Sequence, residues 1–512
     1  MKIPLLPQNK SRNTALCTKL ARKLLIVVFV WPDEGGEPMT NPDWLGFIQQ
    51  SIQTHHVQSI RVCVQDSSNV SRSRQVSAKK FLEDVLTHGL SIPSALFAFD
   101  SSAVIVPGAG PGEHSGYPSW HLQPDLSTFS VLPYAPGVAR IIADVYDDSG
   151  QPVQYAPRHV LQRLLNRMKS AGFQLQGSFE FEFYAFMDPS LGAQANGQIT
   201  MSPVRTDLSL SDRPSLDSTP RLNPPAWSGL QCFSEVKQSR LEPLLMSLLK
   251  TLEDMGAAPQ VANTEYGPGQ FEISYAPFWG VEIADMAFYY RTTIKEVFAQ
   301  NGLKASFMSK PLNGFSGSGA HLHHALYRPD GSNAFFDSTA QDGLSQDCKW
   351  FIGGQLAHAR TISALMNSTV NSYKRLQPHT FAPYTATWGY DQRETMIRVP
   401  GVRQENTRVE NRLPGADTDP YLALAAALAA GLDGIEQHID PGTPAQGSNL
   451  GNYPPLPRSL FESLLALKED EWAHATLGKD FMSQFLKLRF AEVDRFMRHV
   501  TDWELQEYAD IF

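Results

Sequence analysis

The sequence predicts an α+β protein in which a small N-terminal module precedes a larger domain built on strands with one polar face. Three observations predict it. Chemically matched residues stand two apart in strand-like sequence: Glu180 and Glu182 in GSFEFEFYAF, His321 and His323 in GSGAHLHHAL, Glu410 and Arg412 in TRVENRLPG. Side chains at i and i+2 of a strand share a face, so each stretch aims a polar pair at one surface, as a barrel does when it builds an ionic interior. Around such stretches run segments of helical periodicity, of which PRHVLQRLLNRMKSAG, ahead of the first, has a proline at its first turn and Gly172 at its end. The 512 residues also suffice for one large domain and one smaller.

In chain order, residues 1–41 read as a dispensable leader. Lys19, Arg22 and Lys23 precede the apolar run 24–31, which is too short to span a bilayer, and Pro32-Asp33-Glu34 occupies the place of a signal cleavage site. Met39 is an alternative start. Residues 42–150 form the small module: a helix over 44–54, a strand over 59–65, a helix around 78–87, further strand-like runs, and an alternating strand in ARIIADVYDDSG closed by a turn at Asp148-Ser149-Gly150. The larger domain, 151–512, opens with the Pro157 helix and runs directly into the Glu180 strand. A Ser/Pro/Asp/Gly-rich loop is expected over 189–227. Helices over 239–255 and 283–301 bracket the strand-like TEYGPGQFEISYAP, 421–435 is a buried Ala/Leu helix, and 457–508 is helical with charged faces.

Composition excludes several classes of function. The net charge is −9, only 19% of residues are charged, and there is no extended basic stripe, so small substrates rather than nucleic acid are indicated. No run is long and apolar enough for a membrane span. Cys17, Cys63, Cys232 and Cys348 are far apart and form no CxxC pair, which argues against a disulfide framework or zinc knuckle and fits the reducing cytoplasm.

A carboxylate-rich interior needs cations, and oxygen donors with one or two imidazoles suit Mg²⁺ or Mn²⁺ better than zinc or copper. Glu265 and Glu272 flank Tyr-Gly-Pro-Gly-Gln, where glycines let the backbone bend around a cation. A single carboxylate pair is more often a solvated strand face. That reading weakens for GSFEFEFYAF, whose other residues are nearly all apolar and would bury the strand on both faces. Arg375, Arg393, Arg398, Arg408 and Arg412 crowd one region with few acids to pair them, which suggests a phosphorylated, anionic substrate. On the metal ligands alone a metal-dependent hydrolase would serve, but it has no need of so many arginines.

Together FEFEF, TEYGPGQFE, GSGAHLHHAL, NSTVNSYKRL and RVENRLPGADTDPYLALAAALAAGLDGI resemble the glutamine synthetase family, from about Pro42 to the C-terminus and in the family's order. The resemblance implies a small β-grasp-like N-terminal domain, and a large catalytic domain with a curved antiparallel sheet surrounded by helices. It also implies a homo-oligomeric ring, usually a dodecamer of two stacked hexamers, with active sites between subunits. Each site would hold two to three Mg²⁺ or Mn²⁺ ions. Glu182, Glu265 and Glu272 would hold one metal, and Glu180, His321 and Glu410 a second. His323, Arg393, Arg398 and Arg408 would contact ATP. Gly317, Arg375 and Arg412 would bind L-glutamate, with Arg393, Arg412 and Arg375 as the catalytic arginines. ATP would phosphorylate glutamate, and an amine would then displace phosphate from γ-glutamyl phosphate.

The chain departs from the ammonia-using pattern where ammonium is handled. The family's flap glutamate after NSYKRL is met by Phe381, and an N-terminal aspartate by Pro93. A phenylalanine neither attracts nor deprotonates ammonium, whereas a partly apolar amine gains contact surface from it. The branch of the family that makes γ-glutamyl amides of polyamines, alkylamines or arylamines in amine breakdown is therefore the expected one, with Phe381 and Pro93 in the amine pocket. ATWGYDQRETMIRVP resembles that branch. An ammonia-using glutamine synthetase and a non-catalytic scaffold of the same fold are the alternatives. Ala325 and Glu405 replace a serine and a lysine common near the nucleotide.

Overall fold

The computed structural model describes residues 43–187, 225, 232–239, 241–447, 450 and 452–512. The expected leader 1–41 lies outside these residues, as does nearly all of the expected loop 189–227.

The first sheet has six strands: β1 (Ser59–Gln65), β2 (Ser71–Ser77), β3 (Leu90–Pro93), β4 (Ser119–Pro124), β5 (Ser130–Val131) and β6 (Val138–Tyr146). Their order is β2-β1-β6-β4-β3, with β5 also on β6, and only β1 and β6 run parallel. Ile60, Val62 and Val64 of β1 and Ile141, Ala143 and Val145 of β6 bury against Phe81 and Val85 and against Ile48 of the Trp44–Thr54 helix. The helical run 78–88 takes a π turn at Phe81–Val85. Sequence reading passes over β2, because SRSRQVS has no apolar face. It is an exposed edge strand, and the charges of Arg72 and Arg74 guard that edge against further pairing.

The second sheet comprises β7 (Gln174–Met187), β8 (Pro259–Thr264), β9 (Gln270–Tyr275), β10 (Phe278–Trp279), β11 (Leu303–Ser306), β12 (Ala320–Tyr327), β13 (Trp388–Tyr390), β14 (Ile397–Val399) and β15 (Val409–Asn411). The order is β13-β14-β15-β12-β7-β9-β8, with β10 and β11 also on β7. The expectation of an antiparallel sheet holds except at β13–β14, which is parallel. TEYGPGQFEISYAP is not one strand but the turn and second arm of the β8–β9 hairpin.

Along β7 the faces differ. Phe179, Phe181 and Phe183 are fully buried and stack into the core, while Glu180 and Glu182 between them face the other way. The strand is thus not apolar on both faces, as its composition suggested. Alternation puts every phenylalanine of this stretch on one side and leaves the acids a half-buried face of their own.

Behind the sheet the buried helices Gln346–Ala357 and Pro420–Gln437 touch backbone to backbone. A Cβ at Gly434 would lie 2.1 Å from the Trp350 carbonyl oxygen, and one at Gly354 only 2.0 Å from that of Ala430. Gln355 on the first helix meets His324 Nε2 at 3.2 Å and accepts from Asn411 Nδ2 at 2.7 Å, tying β12 and β15 to the layer behind them. The remaining expected helices form as Pro157–Ser170, Glu242–Asp254 and Glu282–Gln300, and four more run from Leu460 to Tyr508. Among the described residues no helix is long and apolar enough to cross a membrane.

Candidate active site

Strand register sets the chemistry in rows. Glu182 stands opposite Glu272, and Glu272 opposite Asn263; Glu180 stands opposite His321; His323 faces Glu410, and Glu410 faces Arg398. All six carboxylate and imidazole residues expected as metal ligands therefore belong to one stretch of the second sheet, with Glu265 at the entry to the β8–β9 turn. One ligand atom each from Glu180, Glu272 and His321 lies within 4.8 Å of the other two. Glu272 thus stands with Glu180 and His321 as well as opposite Glu182. Glu410 is engaged by two guanidiniums, Arg398 Nη1 at 2.6 Å and Arg412 Nη1, while His321 Nδ1 is 3.8 Å away.

The electrostatics separate two kinds of carboxylate. Burial raises Glu180 and Glu410, but His323 overrides it at the first and Arg412 at the second, so both are held below the usual carboxylate range. Glu182, Glu265 and Glu272 go the other way. Burial is the leading cause at each; the charge of Glu182 adds to it at Glu265, pushed up to about 7, and that of Glu180 at Glu272, raised well above its ordinary value. Burial, with Arg412 second, drives His321 well below 6.5, so its ring is neutral and available as a ligand. Three half-buried acids that repel one another beside a neutral imidazole fit a hard divalent cation: oxygen donors dominate, and the cation would supply the charge that offsets their repulsion.

Arg412 is the hub. Its Nη1 pairs with Glu410, its Nε donates to the Arg393 carbonyl at 2.9 Å, and its Nη2 donates to the Phe381 carbonyl at 3.2 Å. The exposed Arg393 guanidinium has no hydrogen bond or ion pair to a described residue. Arg408 likewise meets no carboxylate: its Nε points at His323 Nδ1 at 3.4 Å and its Nη1 at the Asn406 carbonyl. His323 Nε2 is 2.9 Å from Glu180 Oε2, so the ring is placed to donate there and accept from Arg408. Glu180, His323 and Arg408 line a cavity of about 280 Å³ that extends along β7 past Ser178 and Gln176 to Tyr327, with Glu405 and Ala325 in its wall.

Arg375 is 4% exposed and donates to the Leu413 and Arg412 carbonyls at 3.2 and 3.0 Å, so it braces the backbone that carries Arg412. Burial lowers its pKa to about 10, with Glu182 opposing. Gly317 and Gly319 make room for it. Added Cβ atoms would come within 2.7 Å of Arg375 Cγ and 2.6 Å of its Nη2.

Sequence reading missed Asp417. Its carboxylate accepts from Ser309 Oγ at 2.6 Å, Thr369 Oγ1 at 2.8 Å and Ser372 Oγ at 2.9 Å, pinning the NSTVNSYKRL loop to the segment before Gly317. Hydroxyl and acid came from separate motifs, and no spacing rule joined them. Asp417→Ala should lower stability by about 3 kcal/mol in a denaturant titration, because three hydroxyls lose a charged acceptor, with Asp417→Asn retaining most of it. Phe381 is 53% exposed, has φ +56°, and stacks on the 47% exposed Tyr266, ring centroids 5.9 Å apart and planes 25° from parallel. Pro93 ends β3 opposite Ser119.

Residues 154–508 match the glutamine synthetase catalytic domain. The chain belongs to the glutamine synthetase family. A glutamate–isopropylamine ligase from a Pseudomonas species is 32% identical over 91% of this chain and 97% of its own length. A γ-glutamylethanolamide synthetase of Streptomyces coelicolor is 32% identical over 88% of this chain and 92% of its own length. Among solved structures the ADP complex of GmaS superposes with a TM-score of 0.76 at 28% identity, covering 90% of this chain and 99% of that one. The protein is accordingly an ATP-dependent ligase with a glutamine-synthetase-like fold. ATP and divalent metal ions are general requirements of such ligases.

Proposed function

We propose that this ligase joins the γ-carboxyl of L-glutamate to a primary organic amine rather than to ammonia. The observation that carries the reading is Phe381, an exposed ring beside Arg412 where an ammonia-using relative would present a carboxylate. A γ-carboxylate oxygen of glutamate attacks the γ-phosphorus of ATP, the bridging bond to ADP breaks, and γ-glutamyl phosphate results. The amine nitrogen then attacks the acyl carbon, the carbon–oxygen bond to phosphate breaks, and the amine gives up a proton.

In this reading Arg393 and Arg412 neutralise the transferred phosphoryl group. His323, Arg398 and Arg408 face the nucleotide phosphates, and Arg375 positions Arg412 and the Gly317 segment where glutamate binds. Glu180, Glu182, Glu265, Glu272, His321 and Glu410 would hold Mg²⁺ or Mn²⁺, which supplies the charge that polarises the phosphoryl oxygens. Pro93 belongs to the amine site in a ring-shaped homo-oligomer, a dodecamer of two stacked hexamers, whose sites are shared between neighbouring copies. A need for ATP and glutamate supports a cytoplasmic location and a role in amine breakdown.

The test is phosphate release with ATP, glutamate and Mg²⁺ across an amine panel of putrescine, short alkylamines and aniline-like compounds. Release should rise with organic amines and hardly with ammonium, whereas dominance of ammonium would favour a glutamine synthetase. Phe381→Glu should raise ammonium use by roughly tenfold, since a flap carboxylate both attracts ammonium and accepts its proton. No gain in that variant would refute the account of the flap.

A further inference from the structure

We infer that Tyr266 is the second wall of the amine site, and that the Tyr266–Phe381 pair selects primary amines with one compact apolar substituent and no second charge. The inference rests on the ligase reading above and narrows its substrate class. Tyr266 directly follows Glu265, on the turn between β8 and β9, while Phe381 arrives from a segment more than a hundred residues downstream. Two distant loops thus bring their rings together beside the carboxylate cluster. The rings are stacked at 5.9 Å between centroids, too close to admit a group between them, yet each keeps about half its surface open. An amine substituent therefore lies along their open faces.

The backbone holds the pair in place. Phe381 and His379 both have left-handed φ, +56° and +61°, and the Phe381 carbonyl accepts from Arg412, so the ring is aimed while its backbone is fastened to the phosphoryl-facing arginine. The exposed Phe233 is tied to the same hairpin, its backbone N–H donating to the Thr264 carbonyl at 2.9 Å. Cys232 lies beside Tyr266. Among the described residues the acid adjoining Tyr266 in the chain is Glu265, whose carboxylate accepts from Asn263 at 2.8 Å and belongs to the metal-facing set. A distal ammonium, as in a diamine, would gain from these half-exposed rings only the weak cation–π attraction of a solvated site. A branched alkyl or flat substituent would bury apolar area against the same rings.

The full-length enzyme, Tyr266→Ala and Tyr266→Phe should be assayed for glutamate-dependent phosphate release with isopropylamine, methylamine and putrescine. For the natural sequence, kcat/KM should be highest with isopropylamine. Tyr266→Ala should lower the isopropylamine-to-methylamine ratio of kcat/KM about tenfold through the isopropylamine KM, the effect of losing one apolar wall. Tyr266→Phe should keep the ratio, because the ring face remains. A uniform loss with all amines, an unchanged ratio in Tyr266→Ala, or a preference for putrescine in the natural enzyme would overturn the inference while leaving the ligase reading intact. Failure of every organic amine to stimulate the natural enzyme would instead overturn the ligase reading and this inference with it.

Discussion

Replacing Glu410 by alanine is expected to abolish measurable ligase turnover, a fall of roughly 10³-fold or more in kcat. Glu410 holds Arg398 and Arg412 at once and stands opposite His323 in the ladder, so its loss disturbs the arginines that face phosphate and a metal-facing carboxylate together. It also leaves buried Arg412 without its acid. Breaking such a pair costs about 3–5 kcal/mol, so thermal denaturation should show a fall in Tm as well. Glu410→Gln keeps the shape and some hydrogen bonds but not the charge. It should recover more of the Tm than of the activity, and equal recovery of both would argue that Glu410 acts only as a brace.

The second large effect is the link between metal, pH and stability. Glu265, raised to about 7, and Glu272, raised well above its ordinary value, bind protons in the folded state that the unfolded chain has released. Such groups stabilise the fold below the ordinary carboxylate pKa, and that stability is lost as pH rises through their folded values. The buried histidines His321 and His324, the latter held down to about 4, act in the opposite sense but only below about 6.5. From pH 6.5 to 7.5 the Tm of chelator-treated protein should therefore fall, and saturating Mg²⁺ or Mn²⁺ should remove most of the fall, so that the gain from metal is larger at pH 7.5. Glu282, pushed up to about 7 by burial and by Asp285, contributes the part that metal leaves untouched. A gain from metal that is the same at both pH values would show that these acids do not take up the ion.

Much of this was legible in the sequence because strand alternation is a local rule. The pairs Glu180/Glu182, His321/His323 and Glu410/Arg412 each declare a face, and the register of β7, β12 and β15 brings those faces together. What stayed hidden depends on contacts between distant segments. Arg375 reads as an anion binder until the glycines at 317 and 319 are seen to admit it beneath the surface. Asp417 needs two other loops to acquire a role, and Tyr266 means nothing until Phe381 arrives beside it. Strand β2 failed for the opposite reason: an exposed edge carries no apolar signal for a pattern to detect.

The hydrogen bond from Arg412 to Phe381 goes to a carbonyl, a group that every amino acid at that position would present. The phosphoryl-facing side of the enzyme therefore grips the flap without consulting the side chain it carries. Residue 381 can be exchanged for any residue that tolerates left-handed φ, which disfavours β-branched residues and proline, while Arg412 keeps its partners. A scaffold wired in this way can change its acceptor amine by substitution at one exposed position and leave glutamate activation as it was, which makes the flap a natural point of divergence among enzymes sharing this fold.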